Sequence, residues 1–245
     1  MGAIVTVTSV VFLTLTSAFA PGRSETTGSL GGAAATGSLR GTVTVGPELN
    51  ARKVHFSLYP DLHSTANPGS FKNEEEISNV VIYLESHGPA PSQTSSPARA
   101  LRMEQRHESF VPHVLPILKG STVEFPNVDP IYHNVFSLSK AASFDLGRYP
   151  SGTSRFVRFE EPGMVRVFCH IHADMSAVII VLDGPFFTSP DPGGSFEIRD
   201  VPPGTYTVNA WHERARPIRR QVIIRPGEAT EMKLDIPLRD KPVGE

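Results

Sequence analysis

The chain has 245 residues, with 22 prolines, 20 glycines, a single cysteine and a formal net charge of −2. That length supports one large domain or two small ones with a sizeable core. Balanced charge without a basic block argues against nucleic acid or an anionic membrane surface as a partner.

Met1–Ala20 is apolar, rich in small residues and ends in Ala18-Phe19-Ala20. It reads as a secretory signal peptide, so the mature chain is expected in the periplasm or secreted, with no membrane span. The alternative, an uncleaved anchor, is opposed by a run barely long enough to span and diluted by Thr and Ser. A lone cysteine in an exported chain cannot form an intramolecular disulfide, so its thiol needs another explanation.

Residues 21–38, opening with the run PGRSETTGSLGGAAAT, have the composition of a flexible linker. Strand-like runs bounded by turn residues follow at Leu39–Val45, Val54–Leu58, Val80–Leu84, Val114–Ile117, Thr122–Phe125, Val135–Leu138, Arg155–Phe159, Val165–Cys169 and Ala177–Leu182. Pro60–Ile77 and Gly88–Ala98 are polar and rich in Pro and Ser, and read as surface loops. No stretch combines a helical period with caps. The expected fold class is all-β, a Greek-key β-sandwich over residues 39–183.

After Asp183-Gly184-Pro185 the turns come closer together, and strands are expected at Ser195–Ile198, Thr205–Ala210, Arg219–Ile224 and Glu231–Ile236. Residues 184–239 are therefore expected to form a second, small β-sandwich-like unit packed on the first, followed by a tail, 240–245. A unit of about fifty residues is close to the size at which an independent core becomes marginal.

The chemistry concentrates in Cys169-His170-Ile171-His172-Ala173-Asp174-Met175. Cys169 closes one strand and Ala177 opens the next, so thiolate, imidazole and thioether share one hairpin loop. These are soft donors, and one more imidazole would complete a mononuclear copper site with two His and one Cys in a plane and a weak axial Met. That imidazole should come from another strand end, and His133, in Ile131-Tyr132-His133-Asn134-Val135-Phe136, is the candidate.

The run His133-Asn134-Val135-Phe136, followed by Cys-x-x-His-x-x-Met, resembles the cupredoxins (plastocyanin, amicyanin, pseudoazurin). The two-residue gap between His172 and Met175 is similar to the short ligand loop of amicyanin. The resemblance implies a cupredoxin-like sandwich, equatorial ligands His133, Cys169 and His172, an axial Met175, and Asn134 bonding across to the Cys169 loop. It also implies a copper ion cycling between Cu(I) and Cu(II), since thiolate and thioether favour Cu(I) and imidazole suits both states.

Other metals fit less well. One cysteine excludes c-type haem attachment and a binuclear copper centre, and zinc rarely takes Met. Phe168 stands where the His-Cys-His motif of multicopper oxidases needs a histidine, so no trinuclear cluster can be assembled. The bland reading, Cys169 and Met175 as core packing, leaves the ligand spacing unexplained. His170 should point away from Cys169, because adjacent side chains on an extended segment alternate. His113 reads as structural or solvent-facing, and so does His212, with domain contact or substrate binding its alternative. His55, His63, His87 and His107 carry no spacing signal.

Gly194–His212 resembles carboxypeptidase-regulatory or prealbumin-like β-domains, in which a Gly-x-Phe strand precedes Pro-x-Gly and a Tyr-bearing strand. That likeness speaks to fold and hardly to function. The expected function is an exported one-electron carrier with transient redox protein partners and no bond-making chemistry, hence not an enzyme. The alternatives are a copper carrier or storage module without redox turnover, and a glycan- or protein-binding β-sandwich.

Overall fold

The first described strand, β1 (Gly37–Val45), is hydrogen-bonded on both sides to strands from the far end of the sequence. The computed structural model describes residues 35–46, 73–88 and 100–237. The expected signal peptide, nearly all of the linker, the Val54–Leu58 strand, most of the two expected loops and the 240–245 tail lie outside these residues.

In chain order, α1 (Asn73–Ser78) and β2 (Val81–Ser86) follow β1. Next come β3 (Leu101–Arg102), β4 (Glu104–Arg106), β5 (Ser109–Val111), β6 (Val114–Leu118) and β7 (Thr122–Pro126). They are followed by β8 (His133–Ser139), β9 (Ala142–Tyr149), β10 (Ser154–Arg158), β11 (Gly163–Phe168) and β12 (Ser176–Leu182). The last strands are β13 (Phe187–Thr188), β14 (Ser195–Val201), β15 (Gly204–Trp211), β16 (Ile218–Ile224) and β17 (Ala229–Ile236).

The chain folds all-β, as expected, with one short helix among the described residues. A five-stranded sheet, β6-β12-β11-β8-β9, faces a three-stranded one, β10-β7-β3. Non-consecutive neighbours, such as β11 beside β8, are the long connections of a Greek-key sandwich. Between the sheets lie Phe125, Val135, Tyr149, Phe159, Val165, Val167 and Ile179, all essentially inaccessible, together with Cys169 and Met175. Cys169 and Met175, the two ends of the expected ligand loop, therefore belong to this packed core.

Strand β12 is covered on both of its faces. Its run SAVIIVL is buried at every position after the first. Ala177, Ile179 and Val181 face the sandwich core, while Val178, Ile180 and Leu182 face a second cluster with Val81 and Val114. Alternate side chains point to opposite faces, so a strand covered on both sides reads as a continuous hydrophobic run.

The strand pairing runs across the expected division at 183/184. β1 lies between β14 and β17, and β2 lies between β13 and β15, whereas both had been expected within the 39–183 sandwich. Leu39, Val43 and Val45 share a core with Phe196, Ile198, Leu234 and Ile236. A segment of this size gains the core it lacks by incorporating two earlier strands. Gly41 permits the close approach, since a Cβ there would lie 1.8 Å from the carbonyl oxygen of Met232.

Two local expectations also change. Residues 73–77 of the expected Pro60–Ile77 loop, together with Ser78, form α1, whose Glu76 is buried against Arg214. β9, which had not been expected, carries Ala142, Phe144 and Leu146 on the core side in strict alternation.

Candidate metal centre

The β11–β12 ladder ends at the pair Phe168–Ser176, which leaves Cys169–Met175 as its connecting loop. The loop closes on itself: Cys169 N–H donates to the Met175 carbonyl at 3.2 Å, and Met175 N–H donates to the His172 carbonyl at 3.1 Å. β8 begins at His133 and pairs with β11 through Phe136 and Phe168, bringing its first residue to the same end of the sandwich.

There the ligand atoms converge. Nδ1 of His133 and Nδ1 of His172 are 3.1 Å apart. Cys169 Sγ lies 4.0 Å from the first and 3.8 Å from the second. The two rings cross at 63°. Three donors around a first-row metal, with bonds of about 2.0 Å to nitrogen and about 2.3 Å to thiolate, stand about 3.1–3.5 Å (N to N) and about 3.7–3.9 Å (N to S) apart in a near-trigonal plane. The observed spacings fit that plane closely. Met175 is fully buried in the same cluster as Cys169.

Hydrogen bonding shows which ring nitrogen is free. His133 is inaccessible, and its Nε2 lies 2.8 Å from Asp129 Oδ2. A carboxylate can only accept, so the neutral ring carries its proton on Nε2 and turns the Nδ1 lone pair towards Cys169 and His172. Asp129 is itself held, since it accepts from the backbone N–H of His107 at 2.6 Å and of Glu108 at 2.9 Å. Burial alone would push the Asp129 carboxyl up, but the Glu108 N–H, the His133 ring and the His107 N–H together hold it below the usual carboxylate range.

Asn134 spans the two halves of the site. Its Oδ1 accepts from His170 N–H at 3.4 Å, while its Nδ2 donates to Asp145 Oδ1 at 2.7 Å. His170 does not join the cluster. Its ring stacks flat on Phe136, with centroids 3.7 Å apart and planes within 4°. His172 is partly exposed, and its Nε2 faces Glu108 Oε2 at 3.9 Å.

The remaining described histidines make their contacts outside the three-donor cluster. His113 bridges the Ser176 carbonyl and Glu213, and His87 Nε2 contacts Thr207 Oγ1 at 2.8 Å. His212 is buried beside Glu76, and His107 contributes its backbone N–H to Asp129. Sequence reasoning missed Asp129 and Glu108. Asp129 stood four residues before His133 in a segment already read, a signal that was available. Glu108 had none, because only the fold brings its hairpin to the site.

No protein-family model matches the chain, and no curated protein matches it. Among solved structures it is similar to a purple cupredoxin from Nitrosopumilus maritimus, at 21% identity over 34% of this chain and 99% of that one, with a TM-score of 0.31. A copper-containing nitrite reductase from Thermus scotoductus is 25% identical over 38% of this chain and 25% of that one, with a TM-score of 0.34. A reduced Cu(I) form of an amicyanin mutant is 19% identical over 41% of this chain and 98% of that one, with a TM-score of 0.33. Likeness of this size carries no argument about function, which must rest on the site.

Proposed function

We propose that this chain is an exported mononuclear blue-copper protein that carries one electron between partners. The observation that carries the reading is the convergence of His133 Nδ1, Cys169 Sγ and His172 Nδ1, all within 4.8 Å of one another. Met175, buried beside Cys169, would be the weak axial donor. Copper held there would supply a Cu(I)/Cu(II) couple.

The chain's own residues support that use. Asp129 fixes the His133 ring, Asn134 ties the β8 end to the Cys169 loop, and the sandwich core behind Cys169 and Met175 limits rearrangement between oxidation states. Ile171 and Ala173 flank the partly exposed His172, and Ile131 and Tyr132 are exposed just before His133. An apolar surface of this kind suits the small, transient interfaces of redox encounters, with the His172 edge as the electron's route. The apolar, small-residue run Met1–Ala20 supports periplasmic or secreted placement.

The test is reconstitution of the purified protein with Cu(II). An intense thiolate-to-copper charge-transfer band with a small parallel hyperfine splitting is expected. A colourless or ordinary tetragonal complex would overturn the blue-copper reading.

A further inference from the structure

The β4–β5 hairpin is turned by two residues, His107 and Glu108, and both have positive φ, 52° and 54°. Such two-residue turns favour Asn-Gly, because left-handed backbone strains other residues. Glutamate is a poor choice there on conformational grounds. Strain of this kind persists where the surroundings over-determine it, and it clusters at functional sites.

The surroundings are specific. The turn aims two consecutive N–H groups at one carboxylate, with His107 N–H on Asp129 Oδ1 and Glu108 N–H on Oδ2. Asp129 Oδ2 also accepts from His133 Nε2. Asp129 has little freedom to swing, because its own N–H donates to Asn127 Oδ1 at 3.0 Å, and Asn127 Nδ2 donates to the carbonyls of Ile131 and Tyr149. The same turn also presents the Glu108 side chain to the outer edge of His172. One hairpin turn thus reaches both imidazoles, the buried one through Asp129 and the partly exposed one directly.

We propose that the His107–Glu108 turn is a positioning device for both histidines: its backbone fixes the His133 ring through Asp129, and the Glu108 carboxylate biases the site electrostatically at His172. The proposal rests on the blue-copper reading for its effect on the metal, but its core, the orientation of His133, is a property of the metal-free protein. Asp129 and Glu108 are positioning residues, since each acts through a histidine.

The strained turn then has an account. A conventional Asn-Gly turn would supply the two N–H groups but no carboxylate facing His172. A negative charge near the metal favours the more positive oxidation state, Cu(II). Glu108 is largely exposed, so its influence is screened and should be modest, about threefold in the Cu(II)/Cu(I) ratio at low salt.

The first measurement is ¹⁵N NMR of the His133 ring in the metal-free protein. The wild type should show a single tautomer protonated at Nε2, and Asp129→Asn should lose that preference while still unfolding cooperatively. With copper bound, Asp129→Asn should alter the charge-transfer band and weaken copper binding about 10- to 100-fold, with recovery in Asp129→Glu. Glu108→Gln should shift the Cu(II)/Cu(I) ratio against a fixed redox couple about threefold towards Cu(I) at low salt, and the shift should fade as salt is added. A wild-type His133 protonated at Nδ1, or a tautomer indifferent to Asp129→Asn, overturns the backbone half. An unchanged ratio in Glu108→Gln at low salt overturns the electrostatic half. If the wild type gives no blue spectrum, the blue-copper reading falls alone, since the tautomer measurement still decides the role of Asp129.

Discussion

His113 and Glu213 are paired at 2.9 Å, His113 from the residue before β6 and Glu213 from just beyond β15. The other ring nitrogen, Nδ1, lies 3.1 Å from the Ser176 carbonyl, immediately after Met175. Both neighbours are acceptors, and only an imidazolium donates from both nitrogens. Burial pushes the His113 pKa down, but the hydrogen bond and charge of Glu213, the Ser176 carbonyl and the charge of Glu76 together raise it above its ordinary 6.5. A raised folded-state pKa gives stability that is fully present below the unfolded value and lost as pH climbs through the folded one. His113→Gln should therefore cost about 1–3 kcal/mol in mildly acidic solution and progressively less as pH rises through the raised folded-state value. Urea unfolding of both proteins from mildly acidic to alkaline pH measures it, and a difference independent of pH would refute titration of the ring as its source.

Glu76 and Arg214 form a buried pair at 2.6 Å. His212 Nε2 stands 3.1 Å from the other Glu76 oxygen, close enough for an electrostatic contact but poorly aligned for a hydrogen bond. Burial would raise the Glu76 pKa, but His212 and Arg214 more than offset it, so it lies below the ordinary 4.5. Its contribution should be present above that value and lost as pH falls through the lowered one. Glu76→Gln deprives the Arg214 guanidinium of its carboxylate and should cost about 3–5 kcal/mol, whereas the double change Glu76→Leu with Arg214→Met should recover much of it. Equal losses in single and double variants would refute the pairing as the cause.

The residues legible in the sequence were those whose signal is local. Cys169, His172 and Met175 share one loop, and His133 was found because it precedes a clear strand. The all-β class followed from alternation between turn residues, and the absence of β9 from that reading reflects Gly147 and Arg148 interrupting an otherwise regular pattern. What sequence did not show is long-range. The partnership of β1 with β17 depends on register across the whole chain, and a β-strand's pattern is the same whichever sheet receives it. Glu108 reaches the site for the same non-local reason, through a hairpin whose His-Glu turn has none of the usual turn residues.

The two sulfur residues should separate cleanly. Met175→Leu nearly conserves volume at a fully buried position, so it should cost about 1.5 kcal/mol or less. It removes a weak axial donor, so copper should stay bound while the potential rises. Cys169→Ser removes the thiolate and should abolish the charge-transfer band. Optical spectra with redox titration measure both effects. A Cys169→Ser protein that stayed blue would refute the ligand assignment.

Asn134→Ala tests whether the two halves of the site are held together or merely meet. Asn134 is nearly inaccessible, with one end of its amide on His170 N–H and the other on Asp145. Asp145 also accepts from Gly147 N–H, which with Asn134 holds its carboxyl below the usual range. Removing the amide leaves the His170 N–H and one Asp145 contact unfilled while touching none of the four proposed ligands. The loss should therefore appear mainly as looser copper, with affinity about 10- to 100-fold weaker. Stability should fall by only about 1–3 kcal/mol. Competition with a chelator of known affinity measures the first and urea unfolding the second. An affinity unchanged beside a large loss of stability would make Asn134 a core residue that happens to adjoin the site.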